Sequence, residues 1–292
     1  VIEGEEFQYE IAEEPKCGQS GLLDCNGYTK REAAQNSLIY YGPEDKQVVT
    51  WELTWVQWHS QKEWDDKGYE EIYPNGMPIT EQTTIRRIER DVQEANDILR
   101  ASGVYIELKV TESFYYPYTN GGDAVYGLRD LRNSRGFGRK SGDLLVGYGF
   151  SRSGTCGIAF INAKFTPTYP PVSVSKCGVE TILHEIGHSV GLAHGPSNQA
   201  NSASGYIYPD FGHGWNDICG MYDSIMSYGE QRALFSNPEV TCGEVLGDRV
   251  SHIWRDIPAG DRDYTDEAYS LNRVRYAVSL IHDEHASVGV LR

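Results

Sequence analysis

The sequence predicts an α+β fold, and three observations carry that prediction. Residues 48–110 read as strand, long helix and strand in succession. Two short apolar strands follow at 143–150 and 157–162, ahead of a buried helix that begins near Val179. Beyond that helix, 195–222 is rich in glycine, asparagine and aromatic residues without a regular period, and an amphipathic helix over 263–286 closes the chain. With 292 residues there is enough chain to bury a sizeable core, as one large domain or a domain with extensions.

Residues 1–46 differ from the rest. VIEGEEFQYEIAEEP is glutamate-rich, and KCGQSGLLDCNG places Cys17 and Cys25 among turn residues, so we expect an acidic N-terminal extension with a disulfide loop. The main domain is expected over 47–292. VVTWELTWVQW (48–58) is β-branched and aromatic with partial alternation, which reads as a strand whose tryptophans pack. From Thr80 as N-cap, Ile85, Ile88, Val92, Ala95 and Leu99 recur at helical spacing, and Gly103 ends that helix. VYIELKV (104–110) alternates as a strand. The region 111–140 is looser, with a short helical stretch in AVYGLRDLRNSRG and no phosphate-loop spacing of glycines.

The chain is organised around HEIGHSVGLAHG, His184 to Gly195. The apolar residues Val179, Ile182, Leu183 and Ile186 predict a mostly buried helix over 179–190. His184 and His188 stand one helical turn apart, so both imidazoles share a face. Gly191 falls just past the helix, where a left-handed residue ends it without a Cβ penalty and turns the chain back to bring His194 up as a third nitrogen. Three neutral imidazoles with one open position are the ligand set of a catalytic zinc ion. A lone His-Glu-x-x-His is a weak signal and a lone buried histidine is usually core. Five specified positions in eleven, however, arise by chance about once in a hundred thousand chains of this length.

These residues resemble the metzincins, zinc endopeptidases marked by HExxHxxGxxH and a downstream methionine turn. That turn is represented by DSIMSYGE (Asp223–Glu230), with Met226 thirty-two residues after His194. The resemblance covers about 48–285. EANDILRASGVYIEL resembles the opening of a metzincin sheet, and RALFSNPEVTCGEVLGD makes the resemblance closest to bacterial reprolysin-like (adamalysin-related) proteases. The resemblance implies a twisted mixed sheet with long helices, an upper part over 47–194, an irregular lower part over 195–292 and a zinc cleft between them. It also implies Met226 as an apolar floor beneath the metal, the strand at 157–162 as the substrate-facing edge, and a pocket wall from 232–248. Tyr228 matches astacins and serralysins, where this tyrosine binds the metal or stabilises the transition state; a packing tyrosine is the alternative. Gly195 departs from the Asp, Glu, Ser or Pro that marks individual families, so the subfamily stays open. His213 is expected to be a surface or packing residue.

Net charge is −16, which argues against nucleic acid or an anionic membrane as partner, and no run approaches a membrane span. Six cysteines suit three disulfides in a secreted, extracellular protein. Of the fifteen pairings, proximity favours Cys17–Cys25, Cys156–Cys177 and Cys219–Cys242. The acidic surplus would suit calcium, but no EF-hand-type loop is present. A monomer is the expectation.

The chemistry implied is hydrolysis of peptide bonds in extended protein substrates, with a zinc-bound water and Glu185 as general base. Two other readings stand beside it: a zinc-retaining binding or toxin-like module with little turnover, and a zinc hydrolase of non-peptide amides. Retention of Glu185 argues against the first, and cleavage of a peptide library would exclude the second.

Overall fold

The computed structural model describes residues 46–73, 76–118, 127–129, 131, 143–149, 156–159, 172–175, 177–192, 194, 219, 222–227, 232–260 and 265–279. The extension over 1–45, and with it Cys17 and Cys25, lies outside the described residues, as do Gly195, His213 and Tyr228.

The β-branched and aromatic residues of β1 (Val49–Ser60) sit at the centre of a mixed sheet. The sheet also holds β2 (Met77–Pro78), β3 (Ile106–Tyr118), β4 (Leu144–Tyr148), β5 (Gly157–Ala159) and β6 (Val172–Ser175), in the order β2-β3-β1-β4-β6-β5. β1 runs parallel to β3 and β4, β6 runs parallel to β4, and the two outer strands are antiparallel to their neighbours. A strand buried on both faces need not alternate in polarity, which is why β1 reads as only partly periodic. Its Trp51, Leu53 and Trp55 enter the main core, while Val56 and Trp58 join Leu128, Leu131 and Leu145 on the opposite face.

Three helices supply the main core's other half: α3 (Gln82–Ala101), α4 (Val179–Ser189) and α6 (Glu267–Ser279). Shorter helices α1 (Gln61–Asp66), α2 (Tyr69–Ile72) and α5 (Cys242–Leu246) lie on connections. The short strands β7 (Asp223–Ser224) and β8 (Arg232–Leu234) pair with each other, as do β9 (Asn237–Thr241) and β10 (Pro258–Ala259). On α3 the buried Asn96 presents its amide to the outer side of β3. It accepts from the Leu108 N–H at 2.7 Å and donates to the Leu108 carbonyl at 3.0 Å, satisfying a strand edge that the two-residue β2 does not reach.

The observed elements correct two expectations. The long helix begins at Gln82, with Glu81 as a cap that uses no side-chain bond, because its ladder starts from the Glu81 carbonyl and not from Thr80. The strand expected over 104–110 continues to Tyr118. Thr111 is an extra residue there: the β1–β3 register steps from Leu53↔Val110 to Thr54↔Glu112, and the Thr111 hydroxyl bonds the Leu53 carbonyl at 3.4 Å. Such a bulge reverses the inward and outward phase, so the alternation that marks a strand breaks at that point. Beyond it the pairing with β1, not local pattern, keeps the chain extended.

Two disulfides form among the described residues, Cys156–Cys177 and Cys219–Cys242. The first ties the start of β5 to the residues just before α4. The second ties Cys219 to the first turn of α5. No helix among the described residues is long and apolar enough to cross a membrane.

Candidate metal centre

The zinc-type motif occupies α4 and the turn that follows it. Every residue of α4 except Glu180 is buried, because the helix runs against the sheet with the main core around it. Its end is a Schellman turn: the Leu192 N–H reaches back to the Gly187 carbonyl at 2.9 Å and the Gly191 N–H to His188 at 3.0 Å. Gly191 holds φ +104°, a conformation costly for any residue with a Cβ. This reversal returns the chain along the helix and sets His194 beside His184 and His188.

The nitrogens Nε2 of His184 and His188 lie 3.0 and 2.8 Å from Nε2 of His194, and the three rings form one cluster. The opposite nitrogens are committed elsewhere. Nδ1 of His184 meets the Ile225 carbonyl at 2.6 Å, and Nδ1 of His188 meets the Leu192 carbonyl at 2.9 Å. A carbonyl only accepts, so each Nδ1 carries the proton and each Nε2 of the neutral ring turns a lone pair inward. His194 can offer at most one Nε2 proton to two such lone pairs. A cation resolves that excess of acceptors, and a tetrahedral zinc ion places its nitrogen ligands about 3.3 Å apart, within a few tenths of the spacing here. Burial holds His188 well below the usual imidazole range, at about 4, which keeps the ring neutral. The donor set therefore fits zinc, and the backbone bonds to Nδ1 are the outer shell expected of histidine ligands.

Beneath the helix, Met226 is fully buried, and Gly187 makes its approach possible. A Cβ at Gly187 would stand 2.5 Å from the Met226 sulfur, so only glycine fits there without displacement. Glu185 is buried beside β5. A Cβ on Gly157 would stand about as close to the Glu185 carboxylate, 2.6 Å from its Cγ, so the sheet's edge strand lies directly against that side chain.

Residues 85–195 match the family model of reprolysin-like metallopeptidases of family M12B. Over that stretch the chain resembles the reprolysin-like metzincins. Beginning inside α3 and ending one residue past His194, the matched stretch takes in β3 to β6 and the histidine cluster. The chain is 23% identical over 219 residues to the peptidyl-Asp metalloendopeptidase of Pseudomonas aeruginosa, covering 64% of this chain and 35% of that protein. The chain thus spans about a third of the length of that curated relative. Its fold is similar to a chain in a solved chaperone–substrate complex, with a TM-score of 0.56 and 17% identity over 80% of this chain and 36% of the other.

Sequence reasoning placed the three histidines, Glu185, Gly191 and Met226 in one neighbourhood, and the structure describes all six there. It did not find Gly157, Gly187, the Ile225 and Leu192 carbonyls or Glu267. Gly187 carried a signal, since glycine inside a buried helix asks for a close neighbour. The Ile225 carbonyl and Glu267 carried none, because their partners lie far along the chain; the Leu192 carbonyl is close to His188 in sequence but is a backbone group that no residue type marks.

Proposed function

We propose that the protein is a secreted zinc-dependent endopeptidase acting on extended protein substrates. The observation that carries this reading is the convergence of three histidine Nε2 atoms, with the rings of His184 and His188 held at Nδ1 by backbone carbonyls. His184, His188 and His194 would hold the ion, which supplies a water acidic enough to be hydroxide at neutral pH. Glu185, against Gly157, would accept the water proton and return it to the leaving amine. Tyr228, two residues beyond Met226, would assist the oxyanion. Met226 and Gly187 keep the floor beneath the histidines apolar and close-packed.

The edge position of β5 supports a substrate laid along it as an added strand, since an edge offers unpaired backbone groups beside the Glu185 carboxylate. The cleft would lie between the parts 47–194 and 195–292, with 1–46 as a separate extension. Two disulfides among the described residues support an oxidising, extracellular setting.

The test is casein hydrolysis by the full chain, before and after 1,10-phenanthroline and with zinc restored. Activity that disappears with chelator and returns with zinc is the expected result; one bound zinc without cleavage would favour the binding-module reading. Glu185→Ala should keep zinc and lose about 10²–10⁴-fold in rate. The name of the P. aeruginosa relative makes aspartate the first residue to vary in a peptide library.

A further inference from the structure

Glu267 is the first residue of α6 and is completely buried, far along the chain from the histidine motif. Its side-chain oxygens accept from the Ser224 hydroxyl at 2.8 Å and from the Ser236 N–H at 2.7 Å. Its own N–H donates to the Ser236 hydroxyl at 3.3 Å. One donor thus meets each of the two oxygens, and the N-terminus of α6 favours an acidic group there. Burial nevertheless opposes the charge and pushes the carboxyl up to about 8. A helix that had only to dock on the core would do so more readily with an apolar residue.

What Glu267 grips explains its presence. Ser224 is next to Ile225, whose carbonyl accepts the Nδ1 proton of His184 at 2.6 Å. The Ile225 N–H is occupied on the other side by the Leu234 carbonyl at 2.8 Å. Ser227 closes the turn by donating both its N–H and its hydroxyl to the Ser224 carbonyl, at 3.0 and 2.9 Å. Each bond fixes the peptide unit that faces His184, and Glu267 and Leu234 supply the ones that come from outside the turn.

We propose that Glu267 is a positioning residue for the metal centre: by holding Ser224, next to Ile225, it aims the Ile225 carbonyl at His184 and so keeps Nε2 of that histidine as the nitrogen turned toward His188 and His194. The proposal rests on the zinc reading of the three histidines. It predicts that loss of the carboxylate weakens metal binding without touching any ligand.

The experiment is zinc affinity by chelator competition on the full chain, with the tautomer of His184 read from histidine ¹⁵N shifts in the metal-free protein. Glu267→Ala should weaken zinc about tenfold or more, as losses of outer-shell partners do, and should mix the two His184 tautomers. Glu267→Gln, whose amide oxygen still accepts from Ser236, should stay within about threefold of the native protein. Ser224→Ala should fall between them. Leu271→Ala, a buried truncation one turn further along α6, controls for lost stability alone. Equal zinc affinities for Glu267→Ala and Leu271→Ala would overturn the proposal. If Glu267→Ala does not fold, an unchanged His184 tautomer and zinc affinity in Ser224→Ala overturn it. Failure of the native protein to bind zinc would refute the zinc reading itself, while the metal-free tautomer measurement still decides the role of Glu267.

Discussion

His188 and His184 sit one turn apart on the same helix, yet they are oriented by opposite means. His188 gives its Nδ1 proton to Leu192, four residues on, inside the turn that ends the helix. His184 gives its proton to Ile225, forty-one residues on, in a turn held by α6 and by β8. One support is made by the motif itself as soon as the helix terminates. The other exists only once the far half of the chain has docked. A metal site of this kind is therefore half local and half tertiary, and the two halves should fail separately.

The largest effect is expected at the floor shared by both. Met226→Ala removes a fully buried side chain under Gly187 and should cost about 2–5 kcal/mol by urea unfolding, whereas Met226→Leu should cost under about 1.5 kcal/mol. If Met226→Ala were neutral, the turn would not be packed against α4 as described. Gly187→Ala attacks the same contact from the helix side and should cost about 1–3 kcal/mol. The two losses should not add in the double variant, where the smaller residue at 226 makes room for the new methyl group.

Gly191→Ala strains the local support alone, because φ +104° disfavours a Cβ, and should cost about 1–3 kcal/mol. It should alter the His188 tautomer and leave that of His184 unchanged, the reverse of what Glu267→Ala does. Histidine ¹⁵N spectra of the two variants check this directly, and a common change in both histidines would erase the distinction between the supports.

A pH dependence separates them further. Glu267 has its folded carboxyl raised to about 8 by burial, above its ordinary value of 4.5. The folded state therefore keeps a proton that the unfolded state has lost. The contribution is fully present below about pH 4.5 and is lost as pH rises through 8. Its hydrogen-bond partners are a hydroxyl and an amide, so no partner charge reverses that sign. In metal-free protein, Glu267→Gln should flatten the stability curve across that interval, seen as a melting temperature that no longer falls between pH 5 and 8 on account of this group. The smallest effect is a control away from both supports. Thr241→Ala removes the capping box of α5 and should cost about 0.5–2 kcal/mol with no change in zinc affinity.

Much of this molecule was legible in its residues. The period of Val179, Ile182, Leu183 and Ile186 marked α4, the spacing of His184, Glu185, His188, Gly191 and His194 marked the donor set, and alternation marked β3 up to Val110. These features are set by neighbours within one or two turns of chain, where side-chain direction follows from backbone geometry alone. The bulge at Thr111 was hidden because β1 decides it, and strand pairing is a contact between distant segments. The fit of Gly157 to Glu185, of Gly187 to Met226, and of Glu267 to the turn around Ile225 were hidden for the same reason. By itself the sequence determined which residues can hold a metal and how the helix presents two of them. Only the tertiary structure decided which nitrogen of His184 faces that metal, because the carbonyl that takes its proton is brought there by packing and not by the chain beside it.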